Sequence, residues 1–298
     1  MAFAQLSDVR LEYLPHGEGP EKVVFVHGFE ASARIWAMTQ AALPADRYES
    51  IAINNRGAGA SDAPPEERDF SVPIFAADAF ELVSKLGWSD FTLVGHSLGG
   101  ATVAQFAVDH PELLKGLVLL DPSDPDGYRA GLPTEGPALE ALIDRRMAAR
   151  RDFQARNSGG ARAAPADDGL RASAMRALMD DIAAAPERRL RGSMRSMMTL
   201  RLGDRVKTLP MPVLLAGGDA DTTIPVAAML ATWAKYPPGT GLNFWHGVGH
   251  SPNIDCPEDV AALIRLFVEK TIPAKVAAQA DRAGAPQDFE AARGVGVR

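Results

Sequence analysis

Gly95-His96-Ser97-Leu98-Gly99, followed by Gly100, sets a serine between glycines where an apolar run over 91–94 gives way to a helical pattern opening at Leu98. In that context G-x-S-x-G forms a tight strand-to-helix turn that strains the serine backbone and pushes its hydroxyl out at the top of a sheet. Side chains in place of the flanking glycines would clash with the neighbouring strand and helix. The helix N-terminus beneath favours negative charge developing above it. The chemistry such a serine supports is nucleophilic attack.

A hydroxyl is a weak nucleophile until a base takes its proton. The six histidines are His16, His27, His96, His110, His246 and His250. His250, in Gly247-Val248-Gly249-His250-Ser251-Pro252, falls in a loop after the last strand-like run and before the final helix, free to bend back toward Ser97. His246, at the end of that run, is the runner-up. His96 is the variable residue of the turn and points away from the hydroxyl, while His16 and His110 read as surface positions. The imidazole in turn needs a carboxylate to fix its tautomer and stabilise the cation it becomes. Asp221, in Gly218-Asp219-Ala220-Asp221-Thr222-Thr223-Ile224-Pro225, fits, with Asp219 and Asp121 as competitors at the ends of strand-like runs.

A tetrahedral intermediate also needs donors for its oxyanion. The N–H of Leu98 supplies one at the helix start. The second falls to the loop His27-Gly28-Phe29-Glu30, where Gly28 lets the backbone approach closely and the N–H of Phe29 is the natural donor. His27 reads as a structural hydrogen bonder that shapes this loop. Glu30 stands beside the donor. Its carboxylate either faces away or meets a cationic or hydroxyl group of the substrate.

These residues require a scaffold. Short apolar runs over 23–26, 51–54, 91–94, 117–120, 213–216 and 242–245 end in Gly, His, Asn or Asp and read as buried strands. Helical patterns over 33–43, 73–86, 98–110, 226–235 and 257–269 alternate with them, and residues 3–14 read as an antiparallel hairpin at the edge. The alternation predicts an α/β fold: a mostly parallel, doubly wound sheet with helices on both faces. Residues 122–207 hold no convincing strand. Helices over 137–153, 170–185 and 186–202, with a loop at 157–168, predict an insertion after the sixth strand, lying over the strand ends where such folds bind ligands. The insertion carries 16 Lys and Arg against 12 Asp and Glu, which reads as a solvated, arginine-biased helix face. Residues 1–121 and 208–272 then form the core, 122–207 the helical insertion, and 273–298 a C-terminal extension that is frayed or partly helical.

Composition narrows the class. With 298 residues, 46% hydrophobic and 23% charged, the chain matches a soluble globular protein with a sizeable core. A net charge of −7 argues against a general nucleic-acid binder. No apolar stretch approaches the ~20 residues needed to span a bilayer, and the N-terminus lacks the basic start and apolar run of a signal peptide. Cys256 is the only cysteine, so no internal disulfide forms, which fits a cytoplasmic protein.

The landmarks His27-Gly28, Asn55-Arg56-Gly57-Ala58-Gly59-Ala60-Ser61-Asp62, Gly95–Gly100, Gly218–Pro225 and Gly249–Pro252 together resemble the α/β-hydrolase superfamily, in the branch of capped esterases, lactonases and carbon–carbon bond hydrolases. The resemblance covers roughly residues 10 to 270. It implies Asp221 rather than Asp219 as the acid, a helical cap over the pocket, and no need for a metal or organic cofactor. Asn54-Asn55 depart from the usual Asp of that segment, which mainly shapes the sheet edge. Relatives such as epoxide hydrolases and haloalkane dehalogenases use an Asp nucleophile, and Ser97 excludes their alkyl–enzyme chemistry. The expected reaction is transfer of an acyl group from a small-molecule ester or lactone to water, with Met194, Met197, Met198 and Leu200 able to line an apolar pocket or simply to pack cap against core. The same three side chains also serve diketone, amide or peptide cleavage and perhydrolysis in this fold. A non-catalytic binder is the reading from a different class, and an acyltransferase lies between.

Overall fold

The six apolar runs become the six parallel strands of one eight-stranded sheet in the computed structural model, which describes residues 1–127, 132–157 and 169–273. Its strands are β1 (Ala2–Gln5), β2 (Arg10–His16), β3 (Glu21–Val26), β4 (Tyr48–Ile53), β5 (Phe91–His96), β6 (Leu114–Leu120), β7 (Val213–Gly218) and β8 (Gly241–Trp245), in the order β1-β2-β4-β3-β5-β6-β7-β8. β1 and β2 form the expected antiparallel hairpin, and β2 lies antiparallel to β4. From β4 to β8 every pairing is parallel.

Successive residues of a strand face opposite sides of the sheet. Val24, Val26, Leu93, Leu117, Leu119, Val213 and Leu215 therefore enter one apolar layer, while Val23, Phe25, Val94, Val118, Leu120, Leu214 and Ala216 enter the other. Burial on both faces is why these strands read as continuous apolar runs rather than alternating ones. The first layer is covered by α2 (Val72–Lys85) and α3 (Leu98–Asp109), through residues such as Phe75, Leu82, Val103 and Phe106. The second is covered from Ile35 and Trp36 and from α9 (Pro257–Leu266). The helix expected over 33–43 is split: Ser32 caps a tight 3₁₀ turn, Ala33–Trp36, and only Ala37–Ala41 (α1) is α-helical.

After β3 the chain steps outward to β4, then returns to lay β5 on the other side of β3. The carboxyl ends of β3 and β5 thus flank the switch point, the crevice where doubly wound sheets bind ligands. The loop from His27 and the turn at Ser97 emerge there side by side.

Between β6 and β7 lie α4 (Gly136–Asn157), α5 (Leu170–Ala184) and α6 (Glu187–Thr199), as expected of the insertion. Leu139, Ile143 and Met147 of α4 pack against Leu190 and Met198 of α6 in a small separate core. The arginines differ from expectation, since many tie the insertion down rather than face water. Arg188 donates to the carbonyls of Ala63 and Pro64, Arg171 to that of Ile254, and Arg191 and Arg195 both reach Glu67. The expected loop at 157–168, apart from Asn157, and the tail at 274–298 fall outside the described residues. Two short helices, α7 (Val226–Trp233) and α8 (Pro252–Asp255), complete the fold. Among the described residues no helix is long and apolar enough to cross a membrane.

Candidate active site

Ser97 holds φ 54° and ψ −116° between β5 and α3. A non-glycine residue pays strain there and persists only where its surroundings fix it. Here its N–H donates to the Leu120 carbonyl at 3.0 Å, and its own carbonyl accepts from Gly100 and Ser123 at 2.9 and 3.0 Å. The turn is too tight for side chains on either flank. A Cβ at Gly95 would lie 2.3 Å from the Gly99 carbonyl oxygen, and one at Gly99 2.3 Å from that of Val26.

His250, from the loop after β8, brings Nε2 to 3.1 Å from Ser97 Oγ. Its Nδ1 lies 2.7 Å from Asp221 Oδ2. A carboxylate only accepts, so Nδ1 carries the hydrogen and Nε2 offers its lone pair to the serine hydroxyl. Asp221 Oδ1 accepts from the amides of Thr223 and Ile224 at 2.6 and 3.0 Å. Burial alone would raise the Asp221 pKa, but the bonds from His250 and from these amides outweigh it and hold the carboxyl below its ordinary value. The runner-up base His246 and the competing acid Asp219 pair with each other instead. His246 Nδ1 lies 2.8 Å from Asp219 Oδ2 on the exposed surface.

Two further histidines support the arrangement. His27 is fully buried, donates from Nδ1 to the Gly28 carbonyl at 2.8 Å and accepts the Asn55 N–H at Nε2, the structural role expected of it. His96 does more than point away. Its Nε2 donates to the His250 carbonyl at 2.7 Å, so it braces the loop that carries the base. The sequence offered no signal for this, because the bond joins residues 154 positions apart. Burial, the largest influence on each, pulls both pKa values down to about 3 and keeps both rings neutral.

Asp121, the other candidate acid, follows β6 and stands next to Asp221. Its carboxyl, that of Asp221 and a ring nitrogen of His250 have ligand-capable atoms within 4.8 Å of one another. Desolvation, followed by the Asp221 charge, pushes the Asp121 pKa up to about 9. Asp221 and His250 spend these atoms on each other and Asp121 keeps its proton, so the trio suits a neutral carboxyl beside an ionised pair better than a metal ion. Asn54 replaces the expected Asp without disturbance: its Oδ1 accepts the Ala33 N–H and its Nδ2 donates to buried Glu12.

Ser97 and His250 open into a cavity of about 410 Å³ walled by Ile35, Leu178, Ile182, Met194, Met197 and Ile254. Phe29 and Glu30 lie on its rim, and the Glu30 carboxylate pairs with Arg146 of α4 at 3.5 Å. Met198 is corrected. It does not line the cavity but is buried with Leu139, Ile143 and Met147, because one residue beyond Met197 the helix turns that side chain toward α4. Leu200 is likewise a core residue. A second, more open cleft of about 640 Å³ lies between residues 66–71 and α6, lined by Glu66, Glu67, Arg68 and Arg195 among small and polar residues and without Ser97 or His250. Of the two, only the smaller one is lined by Ser97 and His250.

The family model described as alpha/beta hydrolase fold matches residues 22–257. The chain belongs to the α/β-hydrolase family. Among curated relatives, a fluoroacetate dehalogenase of Burkholderia sp is 35% identical over 119 residues, which is 39% of this chain and 38% of that protein, so the chain spans well under half of that relative. Among solved structures, this α/β hydrolase superposes on a bromoperoxidase from Bacillus anthracis with TM-score 0.74 and 24% identity, covering 90% of this chain and 99% of that one. It also superposes on a thermophilic esterase from Thermogutta terrifontis with TM-score 0.69 and 23% identity, covering 88% and 94%. The structural matches establish the shared fold of a hydrolase family with varied chemistries.

Proposed function

We propose that this α/β hydrolase cleaves a carboxylic ester or lactone of a small molecule through an acyl-enzyme on Ser97. The observation that carries the reading is the hydrogen-bonded chain Ser97–His250–Asp221 at the floor of an apolar cavity. Ser97 Oγ attacks the carbonyl carbon while its proton passes to His250 Nε2, and the C=O electron pair becomes the oxyanion. The N–H groups of Phe29 and Leu98 hold that oxyanion. The tetrahedral intermediate collapses, the C–O bond to the leaving group breaks, and His250 returns the proton to the departing alkoxide. Water, deprotonated by His250, then repeats the sequence and frees the acid. Asp221 stays ionised and holds Nδ1–H throughout.

In this reading α4 to α6 act as a cap, with Met194 and Met197 set against the apolar part of the substrate and Glu30 paired to Arg146 at its rim. The fluoroacetate dehalogenase relative does not carry its activity over, because displacement of halide through an alkyl ester needs a carboxylate nucleophile at the turn where this chain has Ser97. A lone cysteine suits a cytoplasmic setting. The test is hydrolysis of short to medium acyl nitrophenyl esters and simple lactones, wild type beside Ser97→Ala. Turnover that falls by several orders of magnitude in the mutant supports the proposal, and a wild type inert toward the whole panel overturns it.

A further inference from the structure

Arg189 of α6 is fully buried, yet it takes part in none of the ion pairs among the described residues. Its guanidinium donates to main-chain carbonyls instead, from Nη2 to Ala31 at 2.9 Å and from Nη1 to Gly57 at 3.5 Å. Enclosing a cation with no carboxylate at ion-pair distance is costly, and desolvation, only partly offset by the more distant Glu30 and Asp181 charges, pulls its pKa down to about 10. An apolar side chain of similar length would fill the space without that cost, so the donor itself needs a reason.

The carbonyl it grips belongs to a strained turn. Ala31 N–H donates back to the Phe29 carbonyl at 2.6 Å, and Glu30 between them has φ 59°. An i to i+2 bond across a positive-φ residue is the rare form of the γ-turn, and a glutamate there carries backbone strain. The Glu30 side chain is held by Arg146 of α4 at 3.5 Å. Two arginines of the helical insertion therefore hold one three-residue turn of the core, one by its backbone and one by its side chain. Phe29, whose N–H is the second oxyanion donor in the reading above, is the first residue of that turn.

We propose that Arg189 is a positioning residue which, through the Ala31 carbonyl, keeps the Phe29–Glu30–Ala31 turn in its strained form so that the Phe29 N–H is aimed at the oxyanion. The inference rests on the acyl-transfer reading of the site. It makes the insertion part of the oxyanion machinery as well as a roof. A misaimed donor costs less than a deleted one, for which 10²–10³-fold is typical.

The test is a cycle of Arg189→Met, Glu30→Gly and the double variant, assayed on the nitrophenyl ester that the wild type cleaves best. Arg189→Met is expected to lower kcat by about 10- to 100-fold with KM within about threefold, since ground-state contacts remain. Glycine at 30 adopts positive φ without strain, so in the Glu30→Gly background the same substitution is expected to cost less than about threefold. An Arg189→Met kcat within twofold of wild type, or an equal loss in both backgrounds, overturns the proposal. Amide hydrogen exchange at Phe29 and Ala31 gives a readout independent of turnover: it should quicken in Arg189→Met while α3 stays protected, and unchanged exchange also overturns the inference. If the wild type cleaves no ester, the acyl-transfer reading fails, and the exchange result still decides whether Arg189 holds the turn. Should Arg189→Met fail to fold by circular dichroism, Arg189→Gln takes its place with the same expectations.

Discussion

Two carboxyl groups, Asp121 and Asp221, end neighbouring strands and are driven in opposite directions by their surroundings. Asp221 is supplied with His250 and two amide donors and stays ionised, whereas Asp121 is desolvated beside that negative charge and keeps its proton. They are therefore expected to answer differently to the same isosteric change. Asp221→Asn removes the group that fixes the His250 tautomer and should lower kcat by about 10³–10⁴-fold. Asp121→Asn leaves a neutral side chain that still accepts the Gly218 N–H and should cost less than about tenfold. Steady-state kinetics of the two variants on one ester decides the matter, and equal losses would move the acid role to a shared pair. At this scale much of the site was legible. The glycine spacing around Ser97 and the loop position of His250 follow from local backbone demands. The bracing of His250 by His96 and the meeting of Asp121 with Asp221 depend on which loops and strand ends come together in space, and no local pattern encodes that.

Helix α6 shows the same division among whole elements. Its existence follows from sequence, with Pro186 starting it, but its apolar residues do not announce which neighbour each will meet. Met194 lines the cavity and touches only the edge of the α4–α6 core, whereas Met198 is buried inside that core. Their substitutions should separate cleanly. Met198→Ala empties a closely packed site and is expected to lower stability by about 2–4 kcal/mol with little change in substrate preference. Met194→Ala widens the cavity and is expected to move the preferred acyl chain longer by one or two carbons, each added CH₂ recovering up to about 0.8 kcal/mol of burial. Urea unfolding beside an acyl-length series checks both, and a stability loss in Met194→Ala as large as that in Met198→Ala would show the two faces misassigned. Each parallel strand was located because burial on both faces leaves an apolar run, but β4 and β6 begin three residues before the runs expected at 51–54 and 117–120, and β5 and β7 continue two residues past theirs. The helix expected over 33–43 was misread because Ser32 and the 3₁₀ turn after it, Ala33–Trp36, bring Ile35 and Trp36 under the sheet before the α-helix begins.

For the molecule as a whole, the buried titratable groups set the pH at which it is most stable. His27 and His96 fall from an ordinary 6.5 to about 3, so below pH 6.5 the unfolded chain takes up two protons that the native state refuses. Stability then falls as pH drops. Asp121 rises from an ordinary 3.8 to about 9, so above pH 4 the unfolded chain releases a proton that the native state keeps, and stability falls as pH rises. Between pH 4 and 6.5 the two histidines outweigh the one aspartate by one proton, and from 6.5 to 9 the aspartate acts alone. Each limb then slopes by up to about 1.4 kcal/mol per pH unit, and the maximum falls near pH 6.5. Asp78, whose burial also raises its pKa against the pull of Arg56, brings a loss with rising pH that begins near pH 4 and so opposes the two histidines on the acid limb, while the lowered pKa of Asp221 adds to the loss at the acid end. Thermal unfolding from pH 4 to 9 should show this peak. Asp121→Asn should flatten the alkaline side and steepen the acid side, while His96→Gln should flatten the acid side. A wild-type curve still rising at pH 8.5, or an alkaline limb unmoved by Asp121→Asn, would mean that Asp121 is ionised in the folded protein and that the carboxyl pair beside His250 is a pair of charges.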